Sequence, residues 1–299
     1  MSEFQISLIF AFTSMALWGV GDFLIQKTIR KIGSLPTLLW INLIAGLSLF
    51  PFVLKDFPVI FIWSNLSFLI IITIVGLLYS IFLFKAYDQG KLAVIEMIMV
   101  GELPLTIILG LIFFHERLNW IQVLAILVII IGILLISKSQ KDGQNKIRDF
   151  FAGKKLIWEK GVLLAAAAVS FSALYNFLTV VTSRNISAFT AIWFPWMLGS
   201  IFLLIYIAYK RGLKSFWQIS INHKILILFT AIIDATAWIF YALATENEEL
   251  SVVTPIIAGY AVVAMALGVK FNKERIGVWQ YFGIVLVILG VIIVSLISG

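Results

Sequence analysis

The sequence predicts an all-α integral membrane fold of ten transmembrane helices in two inverted five-helix repeats. Three observations lead there. Of 299 residues, 62% are apolar and 12% charged, whereas soluble domains run at about 45–50% and about 25%. So little charge does not cover a water-facing surface of this size, but a bilayer does. Ten apolar runs are each long enough to cross hydrocarbon, and the second half of the chain repeats the first at constant spacing.

A span needs about 20 mainly apolar residues to cross about 30 Å of hydrocarbon. The first run, 6–29, has no Lys or Arg before it and is too long for a signal-peptide core, so it is kept as a span. The second and third runs are 35–54 and 66–87. Only Asp88, Gln89, Gly90 and Lys91 separate the third from the fourth, 92–114, and the fifth is 119–137. The stretch 138–160 is polar and carries Lys138, Lys141, Asp142, Lys146, Arg148, Asp149, Lys154 and Lys155. It reads as a solvated basic linker. The runs 161–183, 187–209, 224–244, 250–270 and 277–297 complete the ten. The expected domains are repeat 1 at 6–137, the linker, and repeat 2 at 161–298.

With an offset of 158, Ala86, Gly101, Glu116, Arg117, Gln122, Gly132 and Ser137 match Ala244, Gly259, Glu274, Arg275, Gln280, Gly290 and Ser295 without a gap. Nearer the front, Ala16-Leu17-Trp18 matches Ala173-Leu174-Tyr175. After a short shift, Thr37, Trp40 and Gly46 match Thr190, Trp193 and Gly199. Bilayer composition explains coincident Leu, Ile and Val, but not Glu-Arg, Gln and Gly at equal spacing twice. Because five is odd, the second copy enters the membrane from the opposite face. Inverted repeats place a site near the midplane between the halves and expose it to each side in turn.

These residues carry a resemblance. Ala16-Leu17-Trp18-Gly19, the pairs Glu116-Arg117 and Glu274-Arg275 after the fourth and ninth spans, and the glycine-bearing spans that follow resemble the drug/metabolite transporter superfamily, EamA-type ten-helix branch. The likeness covers essentially the whole chain. It implies a permease for small metabolites, built of two EamA repeats around a central cavity.

The formal net charge is +7, from 22 Lys and Arg against 15 Asp and Glu. It is spread between apolar runs and forms no basic domain, which excludes nucleic acid as a partner. Of the 22 basic residues, 19 lie in, or within a turn of, the connections after spans 1, 3, 5, 7 and 9. We call this the linker face. The opposite, terminal face carries both termini, the other 3 basic residues and the acidic Glu246, Glu248 and Glu249. The positive-inside rule puts the linker in the cytoplasm and both termini outside a plasma membrane. The family resemblance implies termini inside, so the charge count departs from it.

Ionisable groups within spans are functional candidates, because a charge at the bilayer centre costs about 2.5–3.5 kcal/mol on insertion scales. Asp88 falls at a turn and is set aside. Glu96, about one turn into its span, is expected to snorkel or to function. Asp22 lies deeper, and Glu102 and Asp234 lie near span centres. Burial penalises the charged form of a carboxyl, so Asp22, Glu96, Glu102 and Asp234 are candidates for proton coupling or for holding a cationic substrate. A neutral carboxyl hydrogen-bonded between helices is the alternative. Lys27 and Lys85, near span ends, are expected to snorkel.

Trp18, Tyr79, Tyr175, Trp193, Trp196, Trp238, Tyr241 and Tyr260 lie within spans. Those at equivalent repeat positions, Trp18 with Tyr175 and Trp40 with Trp193, are what a pseudo-symmetric cavity wall requires. The substrate-cavity candidates are Trp18, Tyr79, Tyr175, Asn176, Trp193, Trp238, Tyr241 and Tyr260. Asn176 supplies both a donor and an acceptor. Pro104 and Pro255 each remove a backbone donor and are helix-break candidates. Ala264 with Gly268, Ala165 to Ala168, and Gly283 with Gly290 read as close helix packing.

Catalytic readings fare worse. Gly19-Val20-Gly21-Asp22 and Tyr87-Asp88 fit the short motifs of intramembrane aspartyl proteases, but in reversed order and without Pro-Ala-Leu. His115-Glu116 has Asn119 where a zinc protease needs its second histidine. There is no cysteine, hence no thiolate metal site or nucleophile. No repeated polar ring marks a channel filter. The chain is therefore read as no enzyme, with no cofactor and no metal. Its expected function is secondary-active transport of a small organic metabolite by alternating access, with protons as a coupling partner. A non-transporting receptor or scaffold is the alternative, with an intramembrane aspartyl protease behind it, and monomer and homodimer both remain open.

Overall fold

A computed structural model describes residues 3–113, 119–136, 160–211, 220–246 and 250–297. The polar stretch 138–159, His115, the Glu116-Arg117 pair, Ser137, Glu248 and Glu249 lie outside the described residues. The described chain is helical: α1 Glu3–Ile32, α2 Ser34–Val53, a 3-10 turn Leu54–Asp56, α3 Phe57–Ile60, α4 Trp63–Gln89, α5 Leu92–Met99, α6 Glu102–Phe113 and α7 Trp120–Ile136 in the first half. The second half holds α8 Lys160–Asn185, α9 Ala188–Arg211, α10 Lys224–Glu246, α11 Leu250–Ile257, α12 Tyr260–Phe271 and α13 Val278–Ile297. Seven spans of 22–28 residues are long and apolar enough to cross a bilayer, and shorter apolar segments lie at Val123–Leu135, Tyr260–Phe271 and Val278–Gly290. The outer surface is apolar, with Ile131, Leu134, Phe282 and Leu289 exposed as a lipid-facing wall requires.

Eight of the ten spans are single helices over their membrane run. α1 turns into α2 through one residue, Gly33, whose φ of 92° disfavours any residue with a Cβ. The fourth and ninth spans are each two helices. α5 stops at Met99 and α6 starts at Glu102; α11 stops at Ile257 and α12 starts at Tyr260. Both pairs of bounds differ by the repeat offset, so the break is doubled along with the sequence. The Gly101 N–H donates to the Ile98 carbonyl at 2.9 Å, and the Gly259 N–H to the Ile256 carbonyl at 3.2 Å. These are tight turns in place of α-helical bonds.

The break-candidate prolines stand beside these turns rather than in them. Pro104 is the third residue of α6 and lacks the N–H that would reach back to Val100, which suits a helix beginning afresh there. Pro255 lies within α11, two residues before its end. Glycine, not proline, occupies the equivalent break position in both copies.

The two halves exchange roles at every major interface. α1 packs on α10 as α8 packs on α4, and α1 on α12 as α8 on α6, while α2–α9 and α7–α13 join equivalent helices. The direction of the last pair can be read from its glycines. A Cβ on Gly132 would lie 2.7 Å from the Gly283 oxygen and 2.8 Å from Val287, and one on Gly290 would lie 2.5 Å from Ile129 and 3.0 Å from the Ala125 oxygen. The two contact sets are the same set with the copies exchanged. As residue number rises along α7 it falls along α13, so equivalent helices run antiparallel and the repeats are inverted.

In lipid this contact stands without a hydrophobic drive, and close van der Waals approach supplies it instead. Gly132→Ala is expected to destabilise the protein by about 1–3 kcal/mol, because the added methyl meets backbone that cannot rotate away. Thermal unfolding in detergent measures this, and an unchanged midpoint would mean the helices separate there at no cost.

Candidate functional site

A narrow cavity of about 40 Å³ lies between the halves, well below the about 300–1,000 Å³ of a filled small-molecule site, so its walls must part to admit a solute. Its wall is built from both copies: Trp18, Asp22 and Ile25 of α1, Leu38, Ile41 and Asn42 of α2, Tyr79, Ser80, Leu83, Phe84 and Tyr87 of α4, and Glu102 of α6. From the second copy come Tyr175 and Asn176 of α8, Trp196 of α9, Asp234 and Trp238 of α10, and Tyr260 of α12. Ile25, Leu38 and Tyr87 lie within about two turns of the helix ends at the linker face. Trp18, Tyr175, Trp196 and Trp238 are farther in. The cavity thus extends from mid-membrane toward the linker face.

Its inner end is a cluster of aromatic rings centred on Trp238. The Trp238 ring stands edge-on to Trp18 at 4.8 Å and to Tyr175 at 5.1 Å between centroids, with Tyr241 at 5.7 Å and Trp196 at 6.5 Å. Tyr79 stacks on Tyr175 at 5.9 Å, and Trp18 meets Tyr260 at 5.8 Å. Gly76 makes room for this packing, since a Cβ there would lie 2.6 Å from the Tyr175 ring.

Three carboxyls reach the wall, and each is more than nine-tenths buried: Asp22 at 7% exposure, Asp234 at 7% and Glu102 at 8%. Glu102 opens α6 immediately after the break, where the free N–H groups of a helix start favour negative charge. It bridges the halves, accepting hydrogen bonds from the Ser172 hydroxyl and, at 3.4 Å, from the Tyr260 hydroxyl. The Asn176 amide also faces it. Tyr260 holds the position equivalent to Glu102 in the second copy, so the two helix starts meet across the cavity. Asp22 lines the same space as Asp234 and Glu102. Among the described residues no Lys, Arg or His lines the cavity.

Six of the eight cavity candidates and three of the four carboxyl candidates therefore come together. The others are placed elsewhere. Tyr241 is fully buried behind the wall, against Trp18 and Trp238. Trp193 packs on Phe50, Phe57 and Phe194. α9 enters from the terminal face, so Trp193 lies beyond the closed end of the cavity, and Trp196, one turn deeper, reaches the wall instead. Its repeat mate Trp40 donates to the Ser220 hydroxyl at 2.8 Å on the linker side. Glu96 does not snorkel. It is 0% exposed, close to Tyr87, and its oxygens have no hydrogen bond of standard geometry. Asp88 is exposed at the end of α4, as its turn position implies, and so are Lys27 and Lys85.

Several wall residues escaped the sequence reading. Ser80 holds the repeat position of Trp238 at the offset of 158, which would have found it. Asn42 is a buried amide in an apolar run, a signal as good as that of Asn176. Ser172 precedes Asn176 by one helical turn and shares its face.

One sequence motif proves structural. Lys273, at φ 55°, reverses the chain after α12. The Glu274 carboxylate then returns to accept the Leu92 and Ala93 N–H groups, each at 2.9 Å. Gly268 leaves the space for it, since a Cβ would lie 3.0 Å from a Glu274 oxygen. The linker-face start of α5 is thereby capped from the other repeat, and Asn272 extends the junction through Gln26 at 2.8 Å. Glu274→Gln removes the charge and one of the two acceptor oxygens and is expected to cost about 0.5–2 kcal/mol, the usual value of an N-terminal cap. A lower melting temperature in detergent is the expected readout, and an unchanged one would show the cap to be dispensable.

Comparison with known proteins gives the same picture. The sequence profile of the EamA-like transporter family matches residues 5–138 and again 159–296. An uncharacterized transporter, YxxF, of Bacillus subtilis (strain 168) is 26% identical over 214 residues, covering 70% of this chain. The chain spans 63% of that relative's length. A solved crystal structure of 16% identity superposes over 98% of this chain and 97% of its own, with a TM-score of 0.62, a likeness of fold.

Proposed function

The chain belongs to the EamA-like transporter family, and on that premise we propose that it carries a small organic metabolite across the plasma membrane by alternating access, with protons as the coupling ion. One observation carries this reading. The cavity lies between inverted copies whose interfaces exchange roles, so the two copies have two equivalent ways to divide one arrangement between them. In the present one the cavity extends toward the linker face and the aromatic cluster closes it toward the termini. If each copy adopts its partner's conformation, the cavity reaches the terminal face instead. With the linker in the cytoplasm, the present state faces inward.

The break in the fourth and ninth spans is the moving part in this reading. Backbone that is not helical at membrane depth is tolerated where protein or a cavity surrounds it. α5 and α6 turn about Gly101 as α11 and α12 turn about Gly259. Glu102 stands at the first of these joints, bonded to α8 and α12, so gain or loss of its proton changes what holds the joint.

The test is solute depletion from proteoliposomes. Vesicles loaded with a metabolite extract are placed in a pH gradient, and the retained solutes are identified by mass spectrometry. Saturable, protein-dependent loss of particular solutes that collapses with the gradient is the expected result. Specific binding of a solute with no flux under any gradient would replace the carrier with a receptor.

A further inference from the structure

The proposed function leaves the chemistry of the substrate open. Asp234 lies against the cavity with 7% exposure. Among the described residues its carboxylate makes no hydrogen bond or ion pair, unlike Glu102, which is held by Ser172 and Tyr260. Asp22, on the neighbouring α1, faces the same space, and a Cβ on Gly21 would lie 3.9 Å from the Asp234 backbone, so the two helices meet closely at this level. Among the described residues no basic side chain lines the cavity to balance these acids. A buried carboxyl that faces a cavity is satisfied either by its own proton or by a cation that enters beside it.

The walls specify what kind of cation. The faces of Trp18, Tyr175, Trp238 and Tyr260 meet at steep angles beside the two aspartates. Such faces attract a weakly hydrated cation through the ring quadrupole. A bare metal ion needs several oxygen ligands converging on one point, and no such grouping of His, Cys, Asp or Glu occurs among the described residues. We propose that the transported solute is an organic ammonium ion, its cationic head held by Asp234 and Asp22 and its apolar part against the Trp18 and Trp238 rings. This rests on the cavity being the substrate site.

Phenyltrimethylammonium and its neutral isostere tert-butylbenzene separate charge from shape. Binding of each to the detergent-purified full chain is followed by quenching of tryptophan fluorescence, to which Trp18 and Trp238 report directly. The cation is expected to bind at least about tenfold more tightly than the isostere, since it alone answers a desolvated carboxylate. Asp234→Asn is expected to remove that preference while leaving tert-butylbenzene binding unchanged, and Asp234→Glu to retain it.

Equal binding of the two probes, or a preference that survives Asp234→Asn, overturns the proposal. If the asparagine variant does not fold, the comparison of the two probes on the unaltered chain decides alone. The two readings fail separately. Solute depletion from proteoliposomes without cation preference leaves transport standing and removes the ammonium. Cation preference without any flux leaves this site standing and removes transport.

Discussion

Glu102→Gln is expected to lower proton-driven uptake by about 100-fold, toward the upper end of typical coupling between two ligands of one protein. Substrate exchange in the absence of a pH gradient is expected to persist. The substitution keeps the size of the side chain, an oxygen to accept from one of the Ser172 and Tyr260 hydroxyls and an amide to donate to the other, so the contacts between α6, α8 and α12 survive. What goes is the proton. Uptake into proteoliposomes, compared with counterflow at equal pH on both sides, separates the two effects. Equal loss of both would make Glu102 a structural link between the halves, and full retention of both would remove it from coupling.

A cross-link at the terminal face is expected to stop transport altogether. There Asp56, at the end of the second span, accepts hydrogen bonds from the Ser187 hydroxyl at 2.5 Å and the Thr190 hydroxyl at 2.7 Å. The Thr190 N–H is in turn capped by Ser187 at 3.1 Å. This ties the second span to the start of the seventh on the side where the cavity is closed. The equivalent residue on the linker face, Thr37, instead bonds back to the Gly33 carbonyl of its own helix at 2.8 Å. Among the described residues Thr190 is thus tied across the halves while Thr37 bonds locally, an asymmetry that fits the alternating access proposed above.

The chain has no cysteine, so the double variant Asp56→Cys/Thr190→Cys carries the only thiols. Bridging them with a methylene-spaced bis-methanethiosulfonate is expected to abolish flux, and reduction to restore it. Flux that continues through the bridged protein would show that these spans do not part at the terminal face.

Much of the fold was legible because the bilayer imposes a simple code. A residue in hydrocarbon must be apolar and helical, so the boundaries of all ten runs fall within a few residues of the helices found. The doubled Glu-Arg, Gln and Gly positions carry the repeat, the odd number of spans in each copy carries the inversion, and Gly132 with Gly290 is the contact that shows its direction. Asp22, Glu102 and Asp234 were legible for the same reason: an acid in an apolar run stands out against its surroundings.

Other features were not legible, because they depend on which neighbour a side chain meets. Trp193 and Trp196 look alike in sequence, and only the depth of the cavity along α9 separates them. Glu96 lies about a turn inside its helix and reads as an acid able to reach water, yet α12 and the returning Glu274 cover that end of the membrane. The Glu274-Arg275 pair served as a family mark, while its physical role as a cap on α5 depends on the reversal at Lys273. The prolines drew attention to the right spans, but the joints belong to Gly101 and Gly259.

Sequence alone therefore determined the number of spans, their doubling and inversion, and the presence of isolated acids at membrane depth. Each of these follows from the cost of placing one residue in hydrocarbon, which neighbours hardly change. Tertiary structure decided which acids share a cavity, which is held by hydrogen bonds and which is left without a partner, and which face of the membrane the cavity approaches. Those outcomes are set by helices far apart in the chain meeting at particular levels, and hydropathy is blind to that meeting.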